Sequence, residues 1–314
     1  MKDFEYIAPS TVEEAVAVRE RHGERARVLA GGTDILVQLR EGQRDADVVV
    51  DVKKIPELMD LSFGDGSSGA DGALTLGAAV PCYRVYGDER VVNGYSSLSD
   101  ASRIIGGWQI QGRASVGGNL CNSSPAADTI PALIVEGATC VIAGPGGRRS
   151  VPVAEFCTAP GRNVLADGEF LVALQFPAPG APSGSRYLRF IPRNEMDIAV
   201  AGAGAHVQLS SDGSKIESAR IALSAVAPTP VTADEAAASL AGKSANDAAA
   251  LDTAADLARK VANPISDLRG PKEYRVHLAG VLVKRALKSA IERAQGGDRR
   301  PLIPWGSDPK EHLS

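Results

Sequence analysis

The sequence predicts an α+β protein of two domains, and three observations support this prediction. A chain of 314 residues is long enough for about two domains that each bury a core. Short strand patterns alternate with helical patterns up to residue 177, whereas three long strand patterns and then Ala-rich helical patterns occupy 186–295. The segment 178–185, rich in Pro and Gly, has the composition of a linker.

The first domain, 1–177, is expected to divide into subdomains at about 1–54 and 55–177. The first helix is predicted at 11–21, where Thr11 can cap the helix and Glu14 stands at the capping-box position three residues later. The remaining elements come from apolar alternation and helical spacing. Strands are predicted at 27–30, 47–52, 73–79 and 139–143, a strand pair at 164–176, and helices at 34–39, 84–92, 97–105 and 129–134.

The second domain is expected to combine a three-stranded antiparallel sheet with a helical bundle. Its strands are predicted at 186–191, 198–209 and 215–225, and its helices at 233–240, 245–261 and 271–295. Pro271 suits the first turn of the last helix, because proline has no amide hydrogen to leave unpaired there. The polar, Pro-containing segment 296–314 is expected to form an arm or tail.

Composition and charge narrow the possible functions. The formal net charge of −4 argues against nucleic-acid binding, which needs a basic face. No apolar run is long enough to span a membrane and the N-terminus lacks a signal-peptide core, so we expect a cytoplasmic protein. The four cysteines form no C-x-x-C motif, so we expect no metal or iron–sulfur site in this chain; they are Cys82, Cys121, Cys140 and Cys157. No nucleophile constellation is present either, and we expect no catalytic side chain.

Two Gly-Gly segments carry the strongest functional signal. VLAGGTDIL at 28–36 and RASVGGNLCNSSPAADTIP at 113–131 each show an apolar run, Gly-Gly, small polar residues and an aspartate. Successive amide N–H groups at such a turn converge on an anion. The predicted pyrophosphate donors are the amides of Gly31, Gly32, Thr33, Gly117, Gly118 and Asn119, with the hydroxyl groups of Thr33 and Ser115.

Neither segment has a standard nucleotide-binding signature, because G-x-G-x-x-G and G-x-x-x-x-G-K-[ST] are both missing. A Gly-Gly pair after a strand is often only a turn. The repetition of the whole pattern favours a binding role for the two segments together.

These segments resemble the FAD-binding (medium) subunit of the molybdenum hydroxylase family, which includes xanthine dehydrogenase and carbon monoxide dehydrogenase. The resemblance covers nearly the whole chain. It rests on the segments AGGTDIL (30–36), SVGGNLCNSSPAADTIPAL (115–133), RYLRFIPRNEMDIAVAGAGAHV (186–207), RIALSAVAPTPV (220–231) and SDLRGPKEYRVHLAGVLVKRAL (266–287). It implies a two-subdomain FAD-binding domain of the vanillyl-alcohol-oxidase/CO-dehydrogenase flavoprotein type, with FAD held non-covalently.

The resemblance also implies which residues hold FAD. They are Val28, Leu29, Ala30, Gly31, Gly32, Thr33, Asp34, Ile35, Ile105, Ser115, Val116, Gly117, Gly118, Asn119, Ser123, Asp128, Leu171, Val172, Arg189 and Ile198. It places Asp128 on the ribose or adenine side and Asp34 near the polar edge of the isoalloxazine ring. It places Arg189 near the flavin carbonyl groups and Ile198 against the ring.

Three further positions are implied to make apolar or backbone contacts. Ile105 would offer only apolar contact to adenine, and the backbone of Leu171 and Val172 would meet the pyrimidine end of the flavin. Outside this set, Trp108 is expected to be a core or interface aromatic residue. Arg193 and Asp197 either serve the flavin or form a salt bridge between the domains.

By resemblance, the chain is an electron-transfer subunit that works inside a complex. Molybdopterin would belong to a large subunit and two [2Fe–2S] clusters to a small subunit. Electrons would pass through FAD to NAD, a quinone or oxygen, in a dimer of heterotrimers. Two alternatives stay open: a stand-alone FAD-dependent oxidase of the vanillyl-alcohol-oxidase group, and a non-enzymatic nucleotide-binding module.

Overall fold

The computed structural model describes residues 2–64, 72–180, 182–193 and 195–301. The strands are β1 (Glu5–Ile7), β2 (Ala26–Leu29), β3 (Val48–Asp51), β4 (Leu61–Phe63), β5 (Leu74–Gly77), β6 (Thr139–Gly144), β7 (Gly147–Pro152), β8 (Cys157–Ala159), β9 (Arg162–Asn163), β10 (Phe170–Gln175), β11 (Ser183–Phe190), β12 (Ala201–Leu209), β13 (Ile216–Ser224) and β14 (Val231–Thr232). The α-helices are α1 (Val12–His22), α2 (Ile35–Arg40), α3 (Cys82–Gly87), α4 (Glu89–Gly94), α5 (Ser96–Ser102), α6 (Trp108–Gln111), α7 (Val116–Asn122), α8 (Thr129–Val135), α9 (Asp234–Ala238), α10 (Ala248–Lys260) and α11 (Lys272–Ala294).

The first subdomain is a small parallel sheet with strand order β1-β3-β2. All four residues of the central strand β3 are buried. Helix α1 begins where it was predicted to begin, because the Thr11 hydroxyl accepts the Glu14 amide hydrogen at 3.1 Å. The Glu14 carboxylate accepts from the Ser10 amide at 2.7 Å rather than from Thr11, so the predicted capping box is displaced by one residue.

The second subdomain is a five-stranded antiparallel sheet with strand order β4-β5-β10-β6-β7, which shares a hydrophobic core with helices α3–α8. The strand pair predicted at 164–176 is wrong, because only β10 lies there and it pairs with β5 on one side and β6 on the other. The single helix predicted at 84–92 is also wrong. The chain breaks at Asp88, whose carboxylate caps α4 by accepting the Arg90 amide hydrogen at 2.9 Å.

The second domain is an antiparallel sheet with strand order β11-β12-β13-β14, so the predicted three-stranded sheet gains a short fourth strand. Helices α10 and α11 cover one face of this sheet, and α5 and α8 of the first domain pack on the other. Strand β11 begins at Ser183, inside the predicted linker 178–185. The linker is shorter than predicted because Ser185 and Arg186 are buried against the first domain.

Buried polar contacts join the two domains. The Asp100 carboxylate of α5 accepts from Arg186 at 3.2 Å and from Arg293 at 2.7 Å. Arg299, at the start of the predicted tail 296–314, donates to the Asn93 and Ser183 carbonyl groups at 2.5 and 2.7 Å. The first residues of that segment therefore pack on the first domain, and the part beyond residue 301 lies outside the described residues.

Candidate functional site

A large cavity lies between the two subdomains of the first domain. Its volume is about 770 Å³, and both Gly-Gly segments line it. Of the residues predicted to hold the cofactor, those that line this cavity are Val28, Ala30, Gly31, Gly32, Thr33, Asp34, Ile35, Ile105, Ser115, Gly117, Gly118, Asn119 and Leu171. The segments that were predicted to act together therefore meet at one site.

The two segments are in direct contact through Gly31. A methyl group on Gly31 would stand 2.1 Å from the carbonyl oxygen of Arg113, so only glycine allows this approach. The Arg113 guanidinium in turn donates to the Gly31 carbonyl at 3.2 Å. Backbone packing thus fixes the first segment against the start of the second.

The first segment presents a row of free amide groups to the cavity. Within the described residues, the four successive amide N–H groups of residues 31–34 donate to no other group of the chain. Gly32 has a φ of 82°, and helix α2 begins immediately after Asp34. Free amides at such a turn form a concave anion site, and the α2 terminus adds a small favourable dipole contribution.

The second segment differs from its prediction, because Gly117 and Gly118 lie in the first turn of helix α7 and not in a loop after a strand. Ser115 caps this helix and accepts the Gly118 amide hydrogen at 3.1 Å, while the Asn119 amide donates to the Ser115 carbonyl at 3.0 Å. Those two predicted phosphate donors are therefore engaged inside the helix. Gly117 is required for packing, since a methyl group there would lie 2.5 Å from the Ala78 carbonyl oxygen.

Polar side chains connect the two segments across the cavity. The Asn122 side-chain amide donates to the Asp34 carboxylate at 3.3 Å, and the Gln38 amide donates to Asn122 at 3.1 Å. Partial desolvation by the cavity wall raises the pKa of Asp34 above its ordinary value. Asp34 is therefore held facing α7 by a side chain from the opposite segment.

Seven residues predicted to bind the cofactor do not line this cavity. They are Leu29, Val116, Ser123, Asp128, Val172, Arg189 and Ile198. The Val172 carbonyl already accepts a hydrogen bond from the Ala78 amide at 2.9 Å. Ile198 is 51% exposed on the surface of the second domain.

Asp128 and Arg189 form a buried ion pair between the domains. Their oxygen and nitrogen atoms are 2.5 Å apart, and the Tyr187 hydroxyl donates to the second Asp128 oxygen at 2.9 Å. Burial raises the pKa of Asp128, and the Arg189 charge and the two hydrogen bonds oppose that shift. Both oxygens of Asp128 therefore have partners supplied by the second domain.

Two predictions about nearby surface residues need correction. Trp108 is 60% exposed, so it is not a core residue, and the alternative of an interface residue stays a prediction. The Arg193 and Asp197 side chains lie 3.6 Å apart within one loop of the second domain, so their contact does not join the domains.

Sequence reasoning missed several residues that line the cavity. Among the polar ones are Arg19, Arg27, Gln38, Arg44, Asn122, Arg162 and Asn163. Arg27 precedes the first segment directly on β2 and could have been found by extending that segment. Arg162 lies on the β8–β9 hairpin, which reaches the cavity because the Gly161 amide bonds the Ser123 carbonyl. That long-range contact leaves no signal in the sequence.

The fold and this site define a two-domain protein whose first domain has an anion-binding cavity suited to a dinucleotide. Residues 2–179 match the family model described as the FAD binding domain in molybdopterin dehydrogenase, and residues 186–290 match the CO dehydrogenase flavoprotein C-terminal domain. The chain belongs to the family of FAD-binding medium subunits of xanthine and carbon monoxide dehydrogenases, and it is an oxidoreductase flavoprotein subunit.

Relatives match along almost their full length. The carbon monoxide dehydrogenase medium chain of Afipia carboxidovorans is 33% identical over 293 residues, which cover 93% of this chain and 98% of that protein. The putative xanthine dehydrogenase FAD-binding subunit of Escherichia coli is 30% identical over 298 residues, with coverages of 94% and 99%. The solved Cu,Mo-CO dehydrogenase gives a TM-score of 0.86 at 30% identity, covering 92% of this chain and 98% of that one.

The cavity fits FAD on two grounds. Its volume of about 770 Å³ lies within the range typical of cofactor sites, and the free amides of residues 31–34 suit a pyrophosphate. Within the described ranges, no group of three or more His, Cys, Asp and Glu side chains is arranged to hold a metal ion. No helix in those ranges is both long and apolar enough to cross a membrane.

Proposed function

We propose that this chain is the FAD-carrying electron-transfer subunit of a molybdenum-containing hydroxylase or dehydrogenase complex. In this role it passes electrons from [2Fe–2S] clusters of a partner subunit through FAD to NAD, a quinone or oxygen. The observation that carries the proposal is the row of free amides at residues 31–34, facing a cavity of about 770 Å³ in an FAD-binding domain. Bound FAD supplies the ability to accept and release electrons.

The chain's own residues would bind and orient that cofactor. The amides of Gly31, Gly32 and Thr33 would hold the pyrophosphate, and Ile105 and Leu171 would give apolar contact. The Asp34 carboxylate, held by Asn122, would accept a hydrogen bond from a polar group of the cofactor.

Asp128 and Arg189, which do not line the cavity, can still position the two domains. We propose that the Asp128–Arg189 pair, with Tyr187, holds the second domain against the FAD-binding domain. Neither Asp128 nor Arg189 lines the cavity, so the predicted contacts of these two side chains with FAD stay predictions.

The partners are inferred from relatives. Two of them are named carbon monoxide dehydrogenase medium chains, and this chain covers 98% of each. We propose a large molybdopterin-binding subunit and a small [2Fe–2S] subunit, assembled as a dimer of heterotrimers. We also propose a cytoplasmic location, which the four free thiols support because disulfides are rare in that compartment.

Purification of the complex tests the proposal. We expect a yellow protein with about one FAD per chain, released into the supernatant by acid. We also expect large molybdenum-containing and small [2Fe–2S] subunits to co-purify with it. Flavin that stays attached after acid, on a chain that purifies alone and oxidises an organic substrate, would support the stand-alone oxidase. A colourless chain that takes up no FAD would support the nucleotide-binding module.

A further inference from the structure

Three polar side chains of the first subdomain are linked to the backbone at the start of the first Gly-Gly pair. The Lys53 ammonium group donates to the Ala30 carbonyl at 2.9 Å and to the Asp51 carboxylate at 2.7 Å. The Tyr6 hydroxyl donates to the other Asp51 oxygen at 2.6 Å. Lys53, Asp51 and Tyr6 do not line the cofactor cavity, whereas Ala30 does. The three side chains therefore contact the wall of the cavity from behind.

The parallel pairing of β2 and β3 places Lys53 beside Ala30. Leu29, the last residue of β2, pairs with Asp51, the last residue of β3. Both strands therefore end at the same edge of the sheet, and the residues that follow them come side by side. The Asp51 carboxylate also accepts the Lys53 amide hydrogen at 3.0 Å and caps the 3₁₀-helix Val52–Lys54. Asp51 thus holds both the backbone and the ammonium group of Lys53.

The contact of Lys53 orients the peptide group between Ala30 and Gly31. In a trans peptide group the C=O and N–H bonds point in opposite directions. A donor that holds the Ala30 carbonyl therefore also fixes the direction of the Gly31 N–H, the first of the four free amides at residues 31–34. A cationic donor on the carbonyl polarises the peptide group as well, which makes its N–H a stronger donor. Both effects favour an anion in the cavity.

The next peptide group is arranged in the same way. The Arg113 Nε donates to the Gly31 carbonyl at 3.2 Å, and the Gly32 N–H of that peptide group donates to no other described residue. Two successive carbonyl groups are thus bonded to cationic side chains. Arg113 is exposed, so water can replace its contact, whereas the Lys53 side chain is only 25% exposed. Lys53 is the better protected of the two donors.

Asp51 limits the direct attraction of Lys53 for an anion. Burial alone would raise the pKa of Asp51, but hydrogen bonds from Lys53 and Tyr6 lower it below its ordinary value. The ionised carboxylate lies 2.7 Å from the Lys53 ammonium group, so the pair has no net charge. The effect of Lys53 on a bound anion must then pass mainly through the peptide group that it holds.

We propose that Lys53 is a positioning residue for the cofactor diphosphate, because its bond to the Ala30 carbonyl aims the Gly31 amide at the cavity and strengthens it as a donor. The proposal rests on the proposed function, since it takes FAD as the occupant of the cofactor cavity. Asp51 and Tyr6 keep the Lys53 ammonium group in place.

The test uses the full chain freed of FAD and titrated with FAD, ADP and riboflavin. Lys53→Met keeps a side chain of similar length but removes the charge and the donor. We expect FAD and ADP, which contain the diphosphate, to bind about tenfold more weakly to K53M. Riboflavin, which has no phosphate, should bind with unchanged affinity. Lys54→Met is the matched control, because it changes the exposed neighbouring lysine, and all three affinities should stay as in the wild type.

Two further variants separate positioning from a simple effect of charge. Lys53→Arg keeps a cationic donor, so it should bind FAD within about threefold of the wild type. Asp51→Asn removes the charge that neutralises Lys53 and weakens its anchor. If Lys53 acted only through its charge, D51N would bind FAD more tightly. If Lys53 must be held at the Ala30 carbonyl, D51N should bind FAD more weakly.

Urea unfolding of each variant reports stability separately, since a purely structural role would lower stability without changing the affinities of the folded protein. Unchanged FAD affinity in K53M, equal weakening of all three ligands, or tighter FAD binding by D51N would overturn the proposal. Binding of FAD to the wild-type chain tests the proposed function, whereas the differences among variants test Lys53. Failure of one is therefore distinguishable from failure of the other.

Discussion

The backbone of Gly31 touches the backbone of Arg113, so closely that a methyl group on Gly31 would stand 2.1 Å from the Arg113 carbonyl oxygen. This contact brings together the two subdomains that enclose the cofactor cavity. It also keeps the free amides of residues 31–34 at a fixed distance from helix α7. The cavity therefore depends on a position that only glycine can occupy.

The substitution Gly31→Ala should damage both stability and cofactor binding. The added methyl group must displace a backbone carbonyl, and overpacking of this kind costs about 1–3 kcal/mol in unfolding free energy. FAD affinity should fall with it, as measured by fluorescence titration of the apoprotein. Gly87→Ala is the matched control, because a methyl group at Gly87 meets nothing within 4 Å. Wild-type FAD affinity in G31A would contradict the assigned role of this contact.

Loss of the Ser115 cap should affect both the fold and the site. Ser115→Ala leaves the Gly118 amide without its acceptor, which costs about 0.5–2 kcal/mol. Thr11→Ala removes the comparable cap of α1, far along the chain from the second segment. We expect similar losses of stability in urea unfolding from both variants, but a weakened FAD affinity only in S115A. If T11A weakened FAD binding equally, the effect would be one of general stability.

Removing Arg189 should strongly destabilise the contact between the domains. Arg189→Ala leaves the buried Asp128 carboxylate without its cation, and breaking a buried pair in this way costs about 3–5 kcal/mol. The double variant Asp128→Asn with Arg189→Met should recover part of this loss, because it removes both charges. Lys284→Ala, which breaks an exposed pair with Asp252, should cost about 1 kcal/mol or less. Chemical denaturation measures all three, and an R189A loss no larger than that of K284A would refute the prediction.

Acid should destabilise the protein through His206. The pKa of this buried imidazole is lowered from 6.5 to about 3, so between these values the unfolded state binds a proton that the folded state does not. Stability from this group is complete above pH 6.5 and is lost as the pH falls towards 3, by at most about 1.4 kcal/mol per pH unit. His206→Gln should flatten the loss of stability between pH 7 and pH 4.5 in urea unfolding. His277→Gln, on the exposed surface, should not.

Local signals in the sequence were sufficient for the long elements. Thr11 and Pro271 mark the starts of α1 and α11, and the apolar spacing of α11 is visible because Leu278, Leu282 and Ala286 all face the core. The short helices were harder to predict. Helix α7 contains two glycines, which oppose helix formation by about 1 kcal/mol each, and the predicted loop followed from that preference.

Contacts between distant residues decided the remainder of the site. The close approach of Gly117 to Ala78 stabilises α7 against its own propensity, and such packing cannot be inferred from spacing. The same is true of the Asp128–Arg189 pair, whose two residues do not line the cavity. The pairing of His206 with Arg220 on neighbouring strands likewise places both residues in the lining of a second cavity, which no sequence motif predicted.

The sequence by itself determined that the chain has two domains, that two glycine-rich segments cooperate, and that the amides of the first segment suit an anionic cofactor. These features follow from backbone freedom and periodicity, which act over a few neighbouring residues. Only the tertiary structure decided which side chains face the cofactor cavity and which hold the domains together. Those assignments depend on burial and on charge pairing between residues far apart in the chain. Local patterns in a single sequence do not show which distant residues come into contact.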